Sequence, residues 1–364
     1  MHRVAVAVCC ATAVSACGRI GFDVQDGTGG GSGGWRKPLA FHPTGLTGDV
    51  PGFPAAIVIA ADPDLAANAQ PDASDLHITA GDGVTALPME IESWAPATGA
   101  LVAWTRLPVL SAGETDAYLY YGGPSAGDRN ASGVWSDYAA VWHFAGDPAS
   151  GRFLSSAAPS LLGTAAGSTI PAAAQGVAGP ALSYDGIDDT INIGDPSDGS
   201  LDFGSTSFSY SAWVFVTTSK GPFDMVWYKG GANATDSGYD MELGTANWSA
   251  CVSDGGRVAC ASFTAVDGGL YGHWAHLVAV VDRGAQMFYA YADGSQREAA
   301  ALPLIGDLST GTSARIGQDV NLFEGRVDEV RVAKLALAPD RIVAENENLV
   351  DPSFLVIGPA QPAP

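Results

Sequence analysis

Basic residues are scarce: 17 Lys and Arg stand against 39 Asp and Glu, for a formal charge of −22 over 364 residues. Such a surface repels phosphate backbones and anionic lipid headgroups, which excludes nucleic acid and anionic membrane as partners. Cations and neutral glycans remain compatible with it. Apolar runs at helical spacing are also nearly absent. In their place 46 Gly and 22 Pro punctuate short alternating segments, with 47% apolar residues to build cores. Together these predict an all-β chain. No Cys and His set has zinc spacing: His273 and His276 lie three apart on an expected strand and point to opposite faces.

One apolar run does stand out. Val4 to Ala16 follows the positive start Met1-His2-Arg3 and is too short for a permanent span, so residues 1–16 read as an export signal. Its end, Val14-Ser15-Ala16-Cys17, resembles the bacterial lipobox. That resemblance implies acylation of Cys17, membrane attachment only through this N-terminal lipid, and, with Gly18 following, the outer membrane. Residues 17–34 then form a Gly-rich tether. Its formal matches to dinucleotide and nucleophile-elbow patterns lack a preceding strand and a following helix and are rejected.

With Cys9 and Cys10 lost to the signal and Cys17 lipidated, Cys251 and Cys260 are left. They flank Gly255-Gly256, a two-residue hairpin turn. Counting outward makes 251/260 a non-hydrogen-bonded pair, close enough for a disulfide in an exported protein. Two free thiols is the alternative.

Residues 35–128 read as a small sandwich of six strands: 35–42, 55–61, 75–79, 86–94, 100–107 and 115–121. Glu90 and Glu92 share a face of the fourth, which reads as a solvated face rather than a catalytic pair. A larger sandwich spans 134–358, followed by a tail at 359–364. It is organised around Ala181 to Gly194, where two short strands flank Asp185-Gly186-Ile187-Asp188-Asp189. Those carboxylates are either splayed to solvent or drawn together by a cation. In the late strand from Phe323 to Val332, Val327 and Val330 have opposite parity, which demands a bulge or a ligand-directed kink near Asp328-Glu329. Pro339 to Asn346 is the one expected short helix, with Pro at its start.

Four stretches together resemble the laminin-G-like, concanavalin-A-type jelly roll of bacterial surface proteins. They are Ala181-Leu-Ser-Tyr-Asp-Gly with Asp188-Asp189, Phe208-Ser-Tyr-Ser-Ala-Trp213-Val214, Trp274-Ala-His276-Leu-Val and Phe323-Glu-Gly325-Arg-Val327-Asp328-Glu329-Val330. In the first sandwich, Trp35-Arg36-Lys37-Pro38-Leu39, Leu87-Pro88-Met89-Glu90-Ile91-Glu92-Ser93-Trp94 and Tyr118-Leu119-Tyr120-Tyr121-Gly122 resemble a family of unknown function that often precedes such jelly rolls.

The resemblance implies a structural Ca2+, with Asp328 as ligand beside Asp185 and Asp188 of the turn. The glycosidase pattern of the fold is not reproduced by Asp240-Met-Glu242, nor by Asp328-Glu329, where Arg331 replaces a carboxylate. No enzyme is therefore expected. Glycan recognition needs aromatic faces beside polar groups, a mixture offered by Trp227, Tyr228, Tyr239, Asp240 and Trp248. The resulting expectation is a cell-envelope lipoprotein that binds a glycan or a surface protein without catalysis. A purely structural spacer is the alternative, and a divergent glycosidase the third reading.

Overall fold

The computed structural model describes residues 34–219, 221, 223–231, 233–244, 247–264, 271–302, 305–317 and 322–364. The expected signal, Cys17 and all of the tether except Gly34 lie outside the described residues. Strands take up 49% of the chain and helices 8%, the balance of an all-β fold.

Two β-sandwiches follow one another. In the first, Trp35–Phe41, Thr115–Tyr121, His77–Ala80 and Ala86–Leu87 form one antiparallel sheet. The second sheet holds Val50–Ile59, Ala100–Leu110 and Met89–Ala95. Leu39, Phe41, Phe53, Ile57, Leu101, Leu107 and Leu119 fill the space between. The expected strand 86–94 divides at Pro88 and changes sheets there. Proline donates no ladder hydrogen bond, while its carbonyl still accepts from the Thr105 hydroxyl and the Arg106 N–H.

The second sandwich has two eight-stranded sheets. Trp142, Tyr184, Phe208, Trp227, Tyr239 and Trp248 pack between them with Val214, Val327, Val330 and Val332. The expected bulge is present. Ser211 pairs with Arg331 but Trp213 pairs with Asp328, so Glu324–Ala333 carries one extra residue there. Glu329 takes a left-handed φ of 50° to accommodate it. The hairpin also forms as expected: Cys251 faces Cys260, with Cα atoms 4.1 Å apart and a disulfide between them.

One boundary needs correction. The closing strand expected at Phe354–Ile357, within the 134–358 sandwich, forms over Leu355–Ile357 and pairs instead with Leu39–Phe41 of the first, and Gln361–Pro362 in the supposed tail pairs with Trp35–Arg36. Phe354 is fully buried in the first core. The chain returns because helix Pro339–Val350, with Pro at its start as expected, carries it back across Val50–Ile59. A third apolar cluster joins the sandwiches: Ala56, Val102 and Trp104 from one meet Trp135, Tyr138, Val278, Val280 and Tyr291 from the other. Burying a side chain of this size is worth about 1.5–3 kcal/mol, so the seam is a packed interface rather than a hinge.

Candidate functional site at the seam

Two bulges face each other across this seam. On the first sandwich, Ile91 pairs with Ala103 and Ser93 with Val102, which leaves Glu92 as the extra residue. Bulges re-aim side chains, and Glu90 and Glu92 both reach the seam. On the second, the bulge at Glu329 turns its carboxylate out of the sheet toward the same place. His143, at the end of Tyr138–Trp142, stands between them, and its neighbour Phe144 also has a left-handed φ, 58°. Non-glycine residues in that region are strained and gather at functional sites.

His143 Nδ1 lies 2.6 Å from Glu329 Oε1 and 3.7 Å from Glu92 Oε2, and its Nε2 lies 3.6 Å from Glu90 Oε2. Trp104 Nε1 donates to Glu92 at 2.8 Å; Trp135 Nε1 and the Ser156 hydroxyl donate to Glu90. Arg331 grips the other oxygen of Glu329 through Nε at 3.1 Å and Nη2 at 2.7 Å, with its guanidinium over the Trp104 and Trp135 rings. Arg341 extends the network to Glu345, Asp137 and the Tyr138 hydroxyl.

Burial alone would lower the His143 pKa, but Glu329, Glu90 and Glu92 hold it well above the usual histidine range. Burial, reinforced by Glu329, pushes Glu92 up to about 8. Glu329 and Glu90 stay below the usual carboxylate range: burial opposes this, and His143 outweighs it, helped by Arg331 at Glu329. Asp328 is also held well above the usual carboxylate range, by burial and by Glu329 and Glu92, so the seam mixes raised and lowered carboxyls. A cleft of about 290 Å³ opens beside it, lined by Glu90, Glu92, His143, Arg152, Phe153 and Ser156. A larger cleft of about 540 Å³ near His77 and Met89 is chemically poorer, because its Arg129 is spent on the carbonyls of Ala73 and Leu76.

The seam overturns one expectation. Glu90 and Glu92 are not a solvated face: the Glu92 side chain is 0% exposed and that of Glu90 16%. A helix end and the second sandwich cover that face, which no strand pattern announces.

The expected glycan residues are not a surface patch either. Trp227, Tyr239 and Trp248 are at most 2% exposed, within the core of the second sandwich. Asp240 is fully buried, accepts from the Cys251 N–H at 3.0 Å, and is held well above the usual carboxylate range by burial and by Glu242. Tyr228 is half-buried and donates to Asp236. Alternation did carry this signal: Tyr239 shares a strand face with Met241 and Leu243, and Trp248 shares one with Ala250 and Val252, opposite Asp240, Glu242, Ser249 and Ser253.

Of the expected metal ligands, Asp185 and Asp188 come together with Asp189, but Asp328 does not join them. Asp185 faces Glu324 in the ladder, which places Asp328 roughly 13 Å further along at strand rise. Its carboxylate instead accepts from the backbone N–H groups of Val177 and Ala178 at 2.9 and 3.3 Å. Those are donors, the opposite of what a cation needs. Gly176 permits this approach, since a Cβ there would meet Asp328 Oδ2 at 2.2 Å. In the turn, Asp185, Asp188 and Asp189 accept from Ile187 N, Ser168 N, the Thr169 hydroxyl and Asp185 N.

Sequence reasoning missed His143 altogether. The parity break at Asp328-Glu329 and the paired glutamates were visible signals; their meeting at one histidine was not.

Residues 185–343 match the family model of the concanavalin A-like lectin/glucanases superfamily, and residues 72–145 match a domain of unknown function. No curated protein matches the chain. Among solved structures, the binding domain of Paraclostridial Mosquitocidal Protein 1 is similar at 12% identity and a TM-score of 0.49, over 59% of this chain and 53% of that one. The Botulinum Neurotoxin serotype G binding domain is similar at 11% and 0.47, over 57% and 50%. The chain spans about half the length of these structures.

Proposed function

We propose that this chain is an exported, lipid-anchored envelope protein that captures a glycan or a surface partner, without catalysis, at the cleft beside His143. The observation that carries the reading is the lining of that cleft: Glu90, Ser156 and His143 converge from both sandwiches, with the exposed Arg152 at the rim. Sugar hydroxyls both donate and accept, and this lining offers carboxylate acceptors beside guanidinium and hydroxyl donors. The concanavalin A-like match of the second sandwich supports a carbohydrate as ligand. Non-catalytic capture is favoured because neither Asp240-Met-Glu242 nor Asp328-Glu329 reproduces the carboxylate strand of the glycosidases of this fold.

Attachment through Cys17 and the tether before Trp35 belong to the same reading, with the outer membrane as the site of anchoring. Calcium belongs to it at the turn of Asp185, Asp188 and Asp189, without Asp328. A glycan array run with wild type, Glu90→Gln and Arg152→Ala, each with and without chelator, tests the proposal. The expected result is a glycan signal that both substitutions abolish. Silence across the array would leave the spacer reading, which the packed seam favours.

A further inference from the structure

We propose that Glu92, His143 and Glu329 form a binding site for a divalent transition-metal cation of the zinc class, open toward the seam cleft. The site does not depend on any glycan and is read without one.

Ligand atoms of these three residues all lie within 4.8 Å of one another. Zinc held by nitrogen and carboxylate oxygen at about 2.0–2.2 Å needs its ligand atoms roughly 3.3–3.5 Å apart. Side-chain adjustments on the order of 1 Å therefore suffice. A histidine nitrogen among carboxylates suits zinc and its neighbours in the first transition row better than calcium, which takes six to eight oxygens.

A second observation is independent of the cluster itself. His143 is 4% exposed, and its buried Nε2, 3.6 Å from Glu90 Oε2, makes no hydrogen bond among the described residues; nor does the buried Glu92 Oε1. Native proteins satisfy the great majority of such atoms, so two orphans on adjoining side chains point to a missing occupant. The surroundings resemble the outer shell of a metal site, where each ligand is oriented by a second partner. Arg331 holds the far oxygen of Glu329, and Trp104 holds one oxygen of Glu92.

Because Glu90 and His143 also line the open cleft, a cation has an entry route and a coordination position left over.

The test is calorimetric titration of the dialysed full-length protein with Zn2+, followed by Co2+ absorbance. One site per chain is expected. Affinity should fall on the order of 100-fold in His143→Gln and Glu92→Gln and stay unchanged in Asp188→Asn, which separates this site from the outer turn. Melting curves establish that the variants fold; Glu92→Gln keeps an acceptor for Trp104 and serves if His143→Gln does not. Should neither fold, anomalous scattering at the zinc edge in wild-type crystals decides, with a peak expected between His143 and Glu329. No stoichiometric uptake, uptake indifferent to Glu92→Gln, or a peak elsewhere overturns the proposal.

Discussion

His143 and Glu329 stand 186 positions apart in the chain, yet Nδ1 of one lies 2.6 Å from Oε1 of the other. Each sits beside or at a strained backbone position, Phe144 and Glu329. The pair marks where the strand Tyr138–Trp142 and the bulged strand Glu324–Ala333 meet the face of the first sandwich.

Arg331 is held by Glu329 and Glu345 and covered by Trp104 and Trp135. Removing one partner of a buried pair strands the other charge, at a cost of about 3–5 kcal/mol. Arg331→Ala should lower stability by that amount in urea unfolding. Arg257→Ala, on an exposed residue, should change it by less than about 0.5 kcal/mol.

The seam also sets a pH dependence in metal-free buffer. Glu92 keeps its proton to about pH 8 in the fold, whereas the unfolded chain releases it near 4.5. The native state binds more protons between those values, so stability falls as pH rises through that window. His143, also raised, adds a loss in the same direction. Glu90, Glu329 and Glu345 are lowered, and their contribution is lost as pH falls below the ordinary carboxylate range. Melting temperature should peak on the mildly acidic side of neutral. In Glu92→Gln the alkaline decline should shrink, by an amount on the order of a few kcal/mol at most.

Trp227 and Trp248 are core residues, so their truncation is a stability experiment. Each →Ala change should cost about 3–5 kcal/mol, read by denaturant midpoint. If either variant lost ligand binding at full stability, its placement in the core would be wrong.

Deleting residues 354–364 should damage the first sandwich, although the segment follows the second. Phe354 leaves that core, and the edge of Trp35–Phe41 is uncovered. Exposed edges are sites of aggregation and nicking. Limited proteolysis should cut within 35–121 in the truncated chain and spare that region in wild type.

Much of this architecture was legible because strand parity and turn residues are local signals. The hairpin of Cys251 and Cys260, the bulge forced by Val327 and Val330, and the helix opening at Pro339 all rest on neighbours in sequence. The site was far less legible. Glu90 and Glu92 look like a wet face until Trp135 and His143 arrive from beyond the first sandwich. Asp328 looks like a cation ligand until the turn at Gly176–Gly179 brings N–H donors to it. Each outcome depends on which surfaces meet, and no pattern within one strand records that.

The most direct measurement is a crystal structure of the protein soaked with a glycan identified on the array. The account predicts sugar density in the seam cleft, with hydroxyls on the Glu90 carboxylate and the Arg152 guanidinium. Sugar bound at the Asp185–Asp189 turn or against Tyr228, with the seam cleft empty, would contradict it.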